Sequence, residues 1–413
     1  MLMILKFLKN TVLLFVLLGI SCGSKAKSNT NTLVDADVKV QSKKNIIVGS
    51  NQLNKYIPLL NGKRVGIVAN QTSVIFKTNT HYTHLVDSLS TLNISISKVF
   101  APEHGFRGTA DAGEVIKDGI DTKTGLPIVS LYGSNKKPTK TQLENIDIIV
   151  FDIQDVGARF YTYISSLHFV MEACAEANIP IIILDRPNPN GHYIDGPILE
   201  LEHQSFVGMH PVPVVHGMTI GEYAKMINGE GWLKNQVQAD LTIISIQNYS
   251  RDMSYSLPIK PSPNLPNDKA INLYPSLCFF EGTNISVGRG TNKQFQIYGS
   301  PFLKNETAKY SFTPQPNEGA KYPKHQGEKS IGFDLSNERN LNEINLQYII
   351  NAYNSTSDKS KFFIENGFFT KLAGTKKLQQ QIENEFTESQ IKATWQDGLK
   401  AFEIKRSKYL IYK

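Results

Sequence analysis

Four polar segments of the chain carry side chains able to move protons or grip anions. The first is Phe100-Ala101-Pro102-Glu103-His104-Gly105-Phe106-Arg107-Gly108, directly after a short apolar run. Pro102 stops the preceding strand, and Gly105 and Gly108 let the backbone turn sharply near a ligand. Glu103 then stands as a carboxyl group at the mouth of an apolar sheet, where partial desolvation suits a general acid. The structural alternative is a loop acid paired with Arg107. The second segment runs from Asp152 to Tyr163. Asp152, Gln154 and Asp155 present acceptors beside a helix start, while Arg159, Tyr161 and Tyr163 add donors and ring faces. Such a mix suits a carbohydrate, with planar polar groups for hydroxyls and aromatic faces for the sugar ring. Here the alternative has Asp155 capping the helix and the tyrosines packing in the core, the favoured reading for Tyr163. The third, Asp185-Arg186-Pro187-Asn188-Pro189-Asn190-Gly191, is fixed by two prolines, so Asp185, Arg186 and Asn188 are held in place; an Arg186–Asp185 pair is the alternative. The fourth, Phe280 to Thr291, is a Gly-rich loop with Glu281 and Arg289, the latter able to meet an anion bidentately.

The elements that must position these groups are legible as runs. Val65–Ala69, Ile94–Phe100, Ile128–Tyr132, Ile146–Ile153 and Ile179–Leu184 are short and nearly continuous in apolar residues, as strands buried on both faces of a parallel sheet are. Between them His81–Leu92, Thr139–Asn145 and Arg159–Ala177 read as helices. In the last of these Tyr163, Leu167, Val170, Cys174 and Ala177 draw an apolar stripe. The alternation predicts an open α/β sheet with right-handed crossovers, whose ligands sit outside the carboxyl ends of the strands. The first three polar segments lie at such ends. Thr219 with Glu222 forms a capping box, and Leu241–Ile246 reads as a further strand. Pro258, Pro261, Pro263 and Pro266 then break the pattern, which places a boundary there: one domain over residues 45–262 and a second over residues 263–413. Gly374–Glu385 and Glu388–Phe402 read as closing helices.

The 413 residues carry a formal charge of +7, from 44 Lys and Arg against 37 acids. So thin an excess does not describe a dedicated nucleic-acid binder, and no nucleic-acid partner is expected. Lys6 and Lys9 precede an apolar run from Thr11 to Ile20, too short to span a bilayer, so residues 1–21 read as a secretory signal. Leu18-Gly19-Ile20-Ser21-Cys22 resembles a bacterial lipobox, which implies lipidation at Cys22 and a polar tether over residues 22–44. An ordinary cleaved signal is the alternative. Removing Lys6 and Lys9 takes the formal charge from +7 to +5. The expected location is the bacterial envelope, periplasmic or membrane-anchored, with the lipid as the membrane contact. Cys174 and Cys278 have apolar flanks and read as buried free thiols.

Several sharper motifs are absent. Val65–Asn70 leads into Gln71-Thr72-Ser73 rather than a G-x-G-x-x-G turn, and there is no Walker A, G-x-S-x-G or H-E-x-x-H. Glu103 and His104 with Asp152 or Asp155 lack the regular spacing of a metal site, so neither metal nor cofactor is expected.

The segments Phe100–Gly108, Asp152–Tyr163, Asp185–Pro189 and Glu281–Thr291, with Ala393–Gln396 and Tyr409–Tyr412, resemble those of the NamZ family of exo-β-N-acetylmuramidases. The likeness runs from about Asn45 to Lys413. It implies a Rossmann-like, open and mainly parallel sheet domain, a smaller α+β C-terminal domain, and a cleft between them. The implied reaction releases N-acetylmuramic acid (MurNAc) from non-reducing ends of peptidoglycan-derived MurNAc–N-acetylglucosamine saccharides or muropeptides. A non-catalytic muropeptide-binding lipoprotein and a metal-dependent hydrolase are the alternatives. Glycosidic cleavage needs a proton on the leaving oxygen and stabilisation of an oxocarbenium-like centre, usually from two carboxyl groups. On this reading Glu103 is the general acid. Asp152 or Asp155 supplies the second group, unless the substrate's own acetamido group does so. His104, Arg107, Gln154, Arg159, Tyr161, Asp185, Arg186, Asn188, Glu281 and Arg289 are the expected substrate-binding set, with Arg159, Arg186 and Arg289 competing for the lactyl carboxylate.

Overall fold

The β-branched runs pair into a sheet, and the chain between them covers its two faces. The structure is a computed structural model that describes residues 45–78, 80–108, 118–304 and 308–413. The expected signal, Cys22 and the tether lie outside the described residues. In chain order the first part comprises α1 (Leu53–Leu60), β1 (Val65–Ala69), a hairpin of β2 (Val74–Phe76) and β3 (Tyr82–His84), α2 (Leu85–Thr91), β4 (Ile96–Ala101), β5 (Gly119–Ile120), β6 (Pro127–Ser130), β7 (Ile148–Asp152), α3 (Tyr163–Ala177), β8 (Ile181–Leu184), α4 (Ile220–Gly229) and β9 (Leu241–Ile244). The second part comprises α5 (Asp268–Leu277), β10 (Ile297–Ser300), β11 (Tyr310–Phe312), β12 (Ser330–Asp334), α6 (Gln347–Ser355), α7 (Phe368–Ala373), α8 (Lys377–Glu383), α9 (Glu388–Ala393) and α10 (Gln396–Ser407).

The main sheet runs β5-β6-β4-β1-β7-β8-β9, parallel except for the short edge strand β5. Counting its parallel strands alone, the order is that of a Rossmann sheet, and it reverses between β1 and β7. All six parallel strands therefore point their carboxyl ends to one edge, and the loops after β4, β7 and β8 meet there. Side chains alternate faces: Ile148 and Val150 of β7 join the layer built on α1 and α2, while Ile149 and Phe151 join the layer of α3 and α4. Burial on both faces is why these strands read as unbroken apolar runs.

Among the described residues the C-terminal part adds the antiparallel sheet β10-β12-β11 and six short helices. Its apolar side chains, among them Leu273, Phe280, Tyr298, Ile349 and Phe402, belong to the same core as α3 and α4. Cys174 and Cys278 are buried free thiols, as their flanks predict. Among the described residues no helix is long and apolar enough to cross a membrane.

Several local expectations change. The helix expected over His81–Leu92 starts only at Leu85, because Tyr82–His84 pairs with β2 as the strand β3. Thr139–Asn145 closes as successive turns, with Leu143 and Glu144 amides donating to Lys140 and Thr141 carbonyls, rather than as a helix. Helix α3 begins at Tyr163 instead of Arg159: the Arg159 amide bonds the Val214 carbonyl at 2.7 Å, the Tyr161 amide closes a turn on the Ala158 carbonyl, and the i to i−4 bonds start with Ser166 on Thr162. The closing stretch splits at Thr394–Trp395 into α9 and α10, and Gly374 ends α7 with φ 73° instead of opening a helix.

The C-terminal tail locks onto the sheet edge. The Tyr412 hydroxyl donates to Asp185 Oδ2 at 2.7 Å and accepts from the Ile246 amide at 2.8 Å, while Arg251 bonds Glu222 and the Tyr412 carbonyl. Tyr412→Phe leaves a buried carboxyl and a buried amide each short of a partner. The expected cost is about 1–3 kcal/mol, read as a lowered urea midpoint. A midpoint equal to that of the parent would show that the tail contributes no such tie.

Candidate active site

A cleft of about 770 Å³ opens over the carboxyl ends of β4 and β7. One wall carries Glu103, His104, Tyr132, Phe160, Tyr161 and Thr162. The rest of the lining comes from the second part of the chain, with Glu281, Arg289, Phe295 and the turn Gly319–Lys324.

Glu103 sits two residues past the end of β4. His104, buried and at φ 69°, Gly105 at φ 78° and Gly108 at φ 76° fold the loop back under it. The Glu103 Oε2 accepts from the Thr162 hydroxyl at 2.8 Å, and the Tyr132 hydroxyl bonds the same carboxyl group. Burial, reinforced by the Glu103 charge, pushes the Tyr132 phenol well above its usual range, so it stays a donor.

Glu281 meets cations instead. Arg289 Nε donates to Glu281 Oε1 at 2.9 Å, and the guanidinium lies 5.1 Å from the Phe295 ring centre. Lys324 Nζ donates to the Phe280, Thr283 and Ile285 carbonyls. Burial alone raises the Glu281 carboxyl, but Arg289 and Lys324 outweigh it and hold the group below the usual range, as a carboxylate. Burial pushes the Lys324 ammonium down to about 8, against the pull of Glu281.

Of the residues singled out in the sequence, Glu103, His104, Tyr161, Glu281 and Arg289 line this cleft. The others do not, and each is held in a contact of its own. Asp152, at the end of β7, forms a buried two-bond pair with Arg186, at 2.6 and 2.8 Å. Asp155 is buried, accepting from the Gly157 amide at 2.7 Å. Neither lines the cleft, whereas Glu281 does. Gln154 donates to the Asp155 and Pro187 carbonyls, and Asn188 to the Met218 carbonyl. Asp185 accepts from Thr219, the Gly221 amide and Tyr412, fixing the start of α4. Arg159 is wholly buried and donates to the carbonyls of Pro197, Val212, Leu372 and Ala373, so it fastens α7 to the first part of the chain instead of meeting a ligand. Arg107 pairs with Asp87 and Asp121, not with Glu103, and lies 4.3 Å from the Phe106 ring centre. Among the described residues, Glu103 and His104 form no ligand cluster with Asp152 or Asp155.

Sequence reasoning passed over Tyr132, Thr162 and Lys324. Tyr132 ends a predicted strand, a position that carried the necessary signal. Lys324 lies in a loop whose composition carries none.

A two-lobed α/β protein with a Rossmann-ordered sheet, bearing acidic side chains from both parts of the chain in one cleft, is the class that this geometry defines. The chain belongs to the NamZ family: the family models described as the N-terminal and C-terminal parts of exo-β-N-acetylmuramidase NamZ match residues 65–269 and 272–412. It is 40% identical over 384 residues to a peptidoglycan β-N-acetylmuramidase NamZ of Bacillus subtilis (strain 168), covering 87% of this chain and 89% of that one. Two crystal structures of DUF1343 family proteins from Bacteroides fragilis NCTC 9343 share the fold. One has a TM-score of 0.81 at 44% identity, covering 90% of this chain and 99% of the other. The second has a TM-score of 0.75 at 28% identity, covering 89% and 99%.

Asp155 offers a test of its structural role. Burial pushes its carboxyl up to about 7, against the Gly157 and Val156 amides, and its Oδ1 has no partner among the described residues. The unfolded group takes its proton near about pH 4. Between these values the folded state binds more protons, so this group's contribution to stability falls as pH rises from about 4 to about 7. Asp155→Asn should remove that slope, gaining on the parent protein between pH 5 and pH 8 in urea unfolding, with turnover retained. A lost turnover at an unchanged slope would return Asp155 to the catalytic set.

Proposed function

We propose that the protein is an exo-acting glycosidase that releases N-acetylmuramic acid from the non-reducing ends of peptidoglycan fragments. The observation that carries this reading is that Glu103 and Glu281, from different parts of the chain, line one cleft, in a chain of the NamZ family. The two groups have different neighbours, hydroxyls at Glu103 and cations at Glu281. Glu103, bonded by the Thr162 and Tyr132 hydroxyls, gives its proton to the glycosidic oxygen as the C1–O bond breaks and the bonding pair leaves with that oxygen. Glu281, kept anionic by Arg289 and Lys324, stabilises the positive charge that develops at C1. A water adds at C1, and the proton it surrenders restores the acid. Arg289 presents the rest of its guanidinium to the lactyl carboxylate, the group that distinguishes muramic acid from glucosamine.

The apolar run Thr11–Ile20 and the small residues before Cys22 support an envelope lipoprotein anchored at Cys22. Peptidoglycan lies in that compartment, so anchor and substrate agree.

Glu103→Gln should lower kcat on the disaccharide MurNAc–N-acetylglucosamine by about 10²–10⁴-fold while saccharide binding, followed by calorimetry, persists. An unchanged kcat would show that a group other than Glu103 supplies the proton. Arg289→Gln should raise KM for the muramoyl substrate about 10–100-fold, towards that of the analogue lacking the lactyl group, whose own KM stays put. Equal effects on both substrates would show that Arg289 serves only Glu281.

A further inference from the structure

The inner part of the cleft is polar and crowded, but its rim carries one aromatic side chain that packs on little. Tyr322 lines the cleft and keeps 91% of its surface exposed, while the other aromatic rings of the lining are mostly buried. A lone exposed tyrosine on a slack surface loop would be unremarked. The turn that presents this one is tied down on both sides. Asn317 and Ala320 exchange backbone hydrogen bonds at 3.1 Å, and Asn264 Nδ2 donates to the Gly319 carbonyl at 2.7 Å. Pro323 lies so close to Gly290 that a Cβ there would come within 2.7 Å of the proline ring. Next along, Lys324 is fixed by three carbonyls. The backbone either side of Tyr322 is thus set before any ligand arrives, and the ring is left uncovered at the cleft mouth.

An exo-acting site holds the terminal sugar at the inner end and lets the remainder of the saccharide leave through the mouth. The inner groups Glu103, Glu281 and Arg289 fall to the muramoyl residue and its bond. What meets the rim is the sugar on the leaving side. A pyranose offers a face of C–H groups flanked by hydroxyls, and a phenol offers a flat apolar body with a polar tip, so the two match. We propose that Tyr322 is the platform of an outer subsite, stacking on the first sugar of the leaving group and thereby selecting saccharide over non-saccharide aglycones. The proposal rests on the glycosidase reading given above. Tyr322 positions the leaving sugar and takes no part in proton transfer. A preset loop keeps the ordering cost of that contact low.

Two substrates separate this role from the chemistry. MurNAc–N-acetylglucosamine fills the outer subsite, whereas α- or β-muramoyl fluoride, whichever anomer the parent protein cleaves, has a one-atom leaving group that does not reach it. Tyr322→Ala should lower kcat/KM on the disaccharide about tenfold, mostly through KM, and leave the fluoride unchanged. Tyr322→Phe should restore the disaccharide value, because the ring does the stacking. Inhibition by free N-acetylglucosamine should weaken in Tyr322→Ala alone. An unchanged disaccharide value, or an equal fall on both substrates, overturns the platform. If the parent protein cleaves neither substrate, the muramidase reading has failed and the platform with it; if it cleaves both and Tyr322→Ala matches it, only the platform has failed.

Discussion

A charge buried at the edge of a sheet must find its partner before that edge can support a cleft, and the Asp152–Arg186 pair meets most of this demand. Two short bonds join the end of β7 to the segment after β8, and the same guanidinium reaches the Val74 carbonyl at 3.0 Å and the Ser50 hydroxyl at 3.2 Å. Burial opposes the Arg186 charge, but Asp152 more than compensates and holds it on. Breaking such a pair from one side leaves an uncompensated charge, at a cost of about 3–5 kcal/mol. Asp185 and Arg159 extend the same logic, one to the start of α4 and the C-terminal tail, the other to the backbone of α7. With those charges closed in on themselves, the loops that carry Glu103 and Thr162 have a fixed base.

This division explains what was and was not legible in the sequence. Buried strands announce themselves as apolar runs, and the rule that function gathers at their carboxyl ends found the right loops. It did not say which way each side chain points. Asp152 and Glu103 both follow strands, yet Asp152 turns into the protein towards Arg186, while Glu103, past Pro102 and ahead of two left-handed glycines, turns out to the cleft. In one dimension a buried structural charge and a working one look alike, because both need polar residues beside a strand end. The start of α3 is set in a similar way: Arg159 is held to Val214, a residue far along the chain, and a turn over Ala158–Tyr161 precedes the helix. The lining from the second part of the chain was harder still. Glu281 and Arg289 stood out by residue type, but Lys324 and Tyr322 lie in a loop with no periodicity, and their places depend on contacts with Gly290 and Asn264 that only the folded chain assembles.

The two parts of the chain also divide the electrostatics. Hydroxyls serve Glu103: Thr162 and Tyr132 both donate to its carboxyl group. Cations serve Glu281, where Arg289 and Lys324 hold the group as a carboxylate. Drawing the two acids from different parts of the chain lets one supply neutral donors to Glu103 and the other supply charge beside Glu281. The cost is that the site exists only when the C-terminal part is seated on the sheet, and Arg159, buried with four carbonyls around it, joins the Tyr412 tail in tying the two together.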